Sequence, residues 1–172
     1  MTSILLLLAF AVTLILLTLA HEMGHFVVAR RLGIPVKRLT IGLGPILWRR
    51  RLAGEMELVL RVVPAGVAVG VPARRADDGR LLRPVEHDIL VAAGGPLAGL
   101  IVALLCAGAL PFSGASASLQ LWLIFTALLS LTLTLLNLIP IPGLDGGHLL
   151  LLIAARFGWE LAPHREMAVH RA

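Results

Sequence analysis

The sequence predicts an all-α membrane protein: a core of three transmembrane helices, a small membrane-associated β-hairpin or sheet, and a short C-terminal interfacial helix. Three observations lead there. The chain is 58% hydrophobic and 15% charged over 172 residues, with a mean hydropathy of +0.93. One domain of this size cannot bury so many aliphatic side chains in a water-soluble core. Three apolar runs are long enough to cross a bilayer. The charges, finally, are gathered: residues 30–88 hold twelve Lys/Arg and six Asp/Glu, whereas between 89 and 155 the one charged residue is Asp145.

Residues 3–29 form the first predicted span. Twenty helical residues rise about 30 Å, the thickness of the hydrocarbon layer, and Arg30 and Arg31 mark the exit. Nothing basic precedes the run, which argues against an export signal. The basic stretch that follows orients the chain with its N-terminus outside and residues 30–88 in the cytoplasm. Arg49-Arg50-Arg51 belongs to that asymmetry, and no nucleic-acid partner is expected. Cys106, in an apolar run, reads as a small buried hydrophobe.

In 33–88, turns are expected at Gly33-Ile34-Pro35, Gly42 to Pro45 and Pro64-Ala65-Gly66. Residues 55–64 and 67–71 are β-branched and partly alternating, which predicts short strands with a hairpin around 64–66. Residues 72–83 read as a wet surface loop. The second span is 89–110, with Gly94-Gly95-Pro96 and Gly99 permitting close helix contact. A short uncharged turn on the outer side leads to the third span, 119–138. The run Asn137 to His148 follows, and 149–160, too short to cross, is expected to pack on the bundle or lie at the interface. The last dozen residues are polar. The whole of 1–172 is read as one domain, with a turn and C-terminal helix over 140–160.

These assignments place two chemically distinctive segments on the same membrane side. One is His21-Glu22-Met23-Gly24-His25. Residues i and i+4 share a helix face, so His21 and His25 can present ring nitrogens to one zinc ion, with Glu22 beside them to act as catalytic base. Three ionisable groups at the end of an apolar helix are costly without a function. Gly24 leaves room beside the metal or serves a helix contact. A catalytic zinc wants a third protein ligand. Asp145, in the turn Pro142 to Gly147, is the candidate, and His148 the rival, preferred as a neighbouring interfacial histidine. Asn137 offers a donor and an acceptor for substrate or for a developing oxyanion. His87, His164 and His170 lie in charged stretches and give no reason to be chosen.

Together, the His21–His25 motif, Gly95-Pro96, and the run Asn137-Leu138-Ile139-Pro140-Ile141-Pro142-Gly143-Leu144-Asp145-Gly146-Gly147-His148 resemble the site-2 protease family, intramembrane zinc metalloproteases. The resemblance extends to Leu60–Val67. It implies one zinc held by His21, His25 and Asp145, with Glu22 as base and Asn137 in substrate handling. It also implies a β region over 55–71 that presents the substrate by edge pairing, and single-span membrane proteins, such as anti-sigma factors or signal-peptide remnants, as substrates. A prokaryotic plasma or inner membrane location is implied, with the active site toward the cytoplasm. Members often carry an asparagine four residues after the glycine of the Gly-Pro pair, where this chain has Gly99; specificity is expected to differ there. No PDZ or CBS domain is recognisable, so a minimal form is expected. Two other readings are a catalytically idle relative serving as a membrane chaperone or regulatory partner, and a small metal transporter. The intact motif argues against the first, and the clustering of ionisable groups at one side against the second. Oligomeric state is left open, a homo-oligomer included.

Overall fold

The computed structural model describes residues 2–52, 56–70, 83–114 and 116–158. In chain order it has helix α1 (Thr2–Arg31), strands β1 (Arg38–Arg51) and β2 (Glu57–Gly70), and helices α2 (Val85–Ala109), α3 (Ala117–Asn137) and α4 (Asp145–Arg156). Segments Ser3–Arg31, Val85–Phe112 and Ala117–Asn137 are long and apolar enough to cross a bilayer. This is a membrane protein with a small sheet attached.

α1 is leucine-rich and has no glycine or proline before Gly24, so nothing interrupts it. Its hydroxyls turn back on the helix: Thr13 and Thr18 donate to the carbonyls of Ala9 and Leu14, each at 2.9 Å. That hides two donors from hydrocarbon. Gly33, at φ 69°, ends the helix in the left-handed conformation glycine tolerates. The Ile34 N–H then bonds back to the Ala29 carbonyl, and Ile34 and Val36 are buried with Ala29. The chain therefore retraces the last turns of α1.

Helix α2 begins at Val85, one turn earlier than its hydropathy suggests, because Glu86 and Asp88 occupy its first turn, where acids favour the helix dipole. Pro96 lies inside α2 and does not break it. α2 is the central helix: α1 and α3 both pack against it and touch each other little. The Ser130 hydroxyl donates to the Gly99 carbonyl at 2.8 Å, tying α3 to α2.

The sheet departs from the expected hairpin around 64–66. Residues 38–41 pair in parallel with 57–60 on one side and antiparallel with 67–70 on the other, so the two flanks of Pro64-Ala65-Gly66 are separated by β1. The antiparallel hairpin instead joins 46–51 to 57–61. β1 escaped sequence reading because Gly42-x-Gly44-Pro45 looks like a terminator. It is a bend within the strand, with Gly44 at φ 83°.

α4 starts at Asp145 rather than 149. Leu152 is buried with Val85 and Ala92 of α2, and Arg156 reaches Glu86 at 2.6 Å. Gly146 and Gly147 let the helix start lie directly on backbone: a Cβ on either would strike the carbonyls of Leu138 or Ile141. Most of the expected 72–83 loop, Trp159-Glu160 and the polar C-terminal residues lie outside the described residues.

Candidate metal centre

Three elements supply the site. α1 brings His21, Glu22 and His25, α2 forms the wall behind them, and the start of α4 brings Asp145. The His21 Nε2 lies 2.8 Å from Asp145 Oδ2, the His25 Nε2 lies 3.3 Å from Asp145 Oδ1, and the two Nε2 atoms are 3.3 Å apart. The rings stand nearly perpendicular, at 82°, with both Nε2 atoms turned to Asp145. Donors bound tetrahedrally at about 2.0–2.1 Å sit about 3.3 Å from one another. The three side chains are therefore spaced to hold one zinc ion with little adjustment.

The surroundings fix the imidazole that matters most. His25, 8% exposed, has its Nδ1 2.7 Å from the Val91 carbonyl. A carbonyl can only accept, so Nδ1 carries the proton and Nε2 presents a lone pair to the site, the form a metal ligand needs. The backbone N–H of Gly95 also approaches Nδ1, at 3.3 Å. The shorter contact decides the tautomer. Burial raises the Asp145 pKa, but the His21 and His25 side chains beside it outweigh burial and hold the group at about 2. Asp145 is thus a carboxylate throughout the neutral range.

Glu22 offers a carboxylate oxygen in the same cluster, within 4.8 Å of the histidine nitrogens. Glu22 and Asp145, the latter 2.8 and 3.3 Å from the two rings, are therefore both carboxylates beside the histidine pair. His148 follows on the same turn of α4, partly buried.

A cavity of about 190 Å³ opens from this centre between α1 and α3, with Gly99 of α2 behind it. Leu17, Thr18, His21 and Glu22 line one side, Ser130, Thr134 and Asn137 the other. Asn137 therefore shares the cavity with Glu22 and Asp145. The polar stripe Ser130, Thr134, Asn137, at spacings of four and three residues in an apolar helix, was a legible signal that sequence reading passed over.

Four glycines sit at contacts around the site. Gly24 contacts α2: a Cβ there would strike the Gly94 carbonyl, so it permits helix contact rather than room beside a metal. A Cβ on Gly94 would in turn sit 2.8 Å from the Gly24 carbonyl oxygen. Gly95 backs directly onto the histidines. A Cβ on it would lie 2.7 Å from His25 Cε1 and closer still to both Nε2 atoms. At Gly99 an added Cβ would collide with the Thr134 hydroxyl, so a side chain there requires that hydroxyl to turn away.

The model of peptidase family M50 matches residues 9–117 and 112–170 of this chain. The chain belongs to peptidase family M50. The match takes in His21, His25 and Asp145 alike, so the M50 assignment spans all three elements of the centre. Among curated relatives, a Nostoc protein assigned by name as a zinc metalloprotease is 41% identical over 104 residues, 56% of this chain and 28% of that protein. The regulator of sigma E protease of Salmonella typhimurium is 39% identical over 104 residues, 56% of this chain and 23% of its own. Its Escherichia coli counterpart RseP is 35% identical over 106 residues, with the same two shares of 56% and 23%. The matched stretch thus spans about a quarter of each relative's length.

Asp145→Ala should lower zinc affinity by more than the roughly 10–100-fold typical of losing a partner that only supports a ligand. Zinc stoichiometry of the purified variant measures it. Full occupancy would show that the carboxylate merely hydrogen-bonds the histidines.

Proposed function

We propose that this M50 protein is an intramembrane zinc endopeptidase, hydrolysing peptide bonds in or near transmembrane segments of single-span membrane proteins. The observation that carries the reading is the meeting of His21, His25 and Asp145 at one point, with Glu22 alongside, at the mouth of a cavity between two spanning helices. The names of the aligned relatives, protease in each case, support it.

When bound, zinc supplies Lewis acidity toward a carbonyl and makes water nucleophilic near neutral pH. The residues of the chain do the rest. Glu22 takes the proton from the attacking water and returns it to the leaving nitrogen, so one carboxylate serves as base and then acid. Asn137, across the cavity, orients the peptide or donates to the oxygen that gains charge. His25 keeps its orientation through the Val91 carbonyl. The Thr18 and Ser130 hydroxyls are turned to backbone carbonyls and Thr134 is buried, so Glu22 and Asn137 are left to engage the peptide. The charge asymmetry of residues 30–88 sets the site toward the cytoplasm.

The test is cleavage of a panel of single-span membrane segments by the purified protein. Treatment with a chelator should abolish product, and one equivalent of zinc should restore it. Cleavage that persists in metal-free protein would remove this function.

A further inference from the structure

The sheet is graded along its strands, and the register creates the gradient. At one end stand Lys37, Arg38, Arg49, Arg50 and Arg51, with Glu57 drawn between Arg38 at 2.9 Å and Arg49 at 3.2 Å. From 37 to 57 the sequence holds five Lys/Arg against two acids, so the cationic excess survives those pairs. At the other end Ile46, Leu47, Trp48 and Val62 are exposed, Leu47 by 71%. The pairing of Arg51 with Glu57, Trp48 with Leu60 and Ile46 with Arg61 keeps the two ends apart by about 10 Å, at about 3.3 Å per residue. Arg61, the cation at the apolar end, donates to the Gly44 carbonyl and so satisfies a backbone acceptor there.

The orientation of this gradient follows from α1. After Gly33 the chain turns back, with Ile34 and Val36 packed on Ala29 and Phe26. The basic end therefore follows directly on the segment packed against the last turns of α1, the helix that ends in Arg30 and Arg31, and β1 runs from there toward its apolar bend. An aliphatic tip, a tryptophan at the boundary and arginines above it match the hydrocarbon, interfacial and phosphate layers of a bilayer in order. Three consecutive arginines exceed what neutral headgroups require, and guanidinium binds phosphate oxygens in paired hydrogen bonds.

We propose that 46–51 is a lipid-binding edge: Ile46, Leu47 and Trp48 enter the bilayer, and Arg49, Arg50 and Arg51 gather anionic phospholipid headgroups. The inference rests on the membrane reading and not on the metal centre, so it stands or falls separately from the protease. Its consequence is that the sheet is held at a fixed depth by lipid charge.

The test uses a chain in which Trp48 is the sole tryptophan, through Trp122→Phe and Trp159→Phe. It is reconstituted in mixed phosphatidylcholine and phosphatidylglycerol vesicles with bromine on the acyl chains of one lipid or the other. Trp48 fluorescence should be quenched by both, with a clear excess for brominated phosphatidylglycerol at equal mole fraction. High salt should erase the excess while leaving quenching by brominated phosphatidylcholine unchanged. Combined Arg49→Gln, Arg50→Gln and Arg51→Gln should erase it too, and the three Arg→Lys changes should keep most of it. Equal quenching by the two lipids at low salt overturns the headgroup preference. Quenching by aqueous iodide and by neither lipid overturns the docking itself and leaves this edge to a soluble partner. If the glutamine variant fails to assemble, the salt titration of the parent chain still decides.

Discussion

Glu22→Gln is expected to leave zinc bound and to reduce cleavage at least about 10³-fold. The amide has almost the shape of the carboxylate, so the packing of α1 is undisturbed. The three tight donor contacts belong to His21, His25 and Asp145, and none is removed. What is lost is the group that can take a proton from water and hand it to the leaving nitrogen. A single acid–base residue is commonly worth about 10²–10⁴ in rate, and in the proposed reaction Glu22 serves in both halves. Zinc stoichiometry and turnover on one membrane segment, measured on the same preparation, separate the two effects. A variant that cleaves at the parent rate assigns the base elsewhere. One that loses its zinc makes Glu22 a ligand.

Gly95→Ala should produce the opposite pattern: no donor is removed, yet zinc binding fails and activity falls with it. The added methyl would occupy the space beside the two Nε2 atoms, and protein interiors do not absorb such an intrusion without displacing a side chain. The helix itself has no reason to suffer, since alanine is a better helix former than glycine by about 1 kcal/mol. Two other glycines of α2 serve as controls. Gly108→Ala meets nothing within 4 Å and should be neutral or slightly stabilising. Gly94→Ala presses on the Gly24 carbonyl and should weaken the α1–α2 contact, read as a lower unfolding temperature. Normal zinc content in Gly95→Ala would mean that the imidazoles do not rest against α2.

These predictions draw unequally on sequence and structure. The three spans were legible because hydrocarbon imposes a minimum length and excludes charge, and both are properties of a single continuous segment. His21 and His25 were legible for a similar reason: four residues on a helix are always one turn apart. The strands within 55–71 were legible as well, but their pairing and β1 were not, because 38–41 joins partners on either side that lie far along the chain, and the Gly44 bend disguised a continuous strand. The work of Gly24, Gly94 and Gly95 was hidden too. A glycine looks the same in sequence whether it faces a carbonyl, an imidazole or lipid.

By itself the sequence determined that this protein lives in a membrane, that its charge is concentrated in residues 30–88, and that one helix carries a pair of histidines with a glutamate. Only the tertiary structure decided that Asp145 meets that pair, since 120 residues separate it from His25. Their encounter depends on how closely α1 and α4 approach α2. That approach is governed by glycines at contacts where any Cβ would hold the backbones apart, and by Leu152 seated against Val85 and Ala92. Helix spacing is a property of packed surfaces, and no local pattern encodes it.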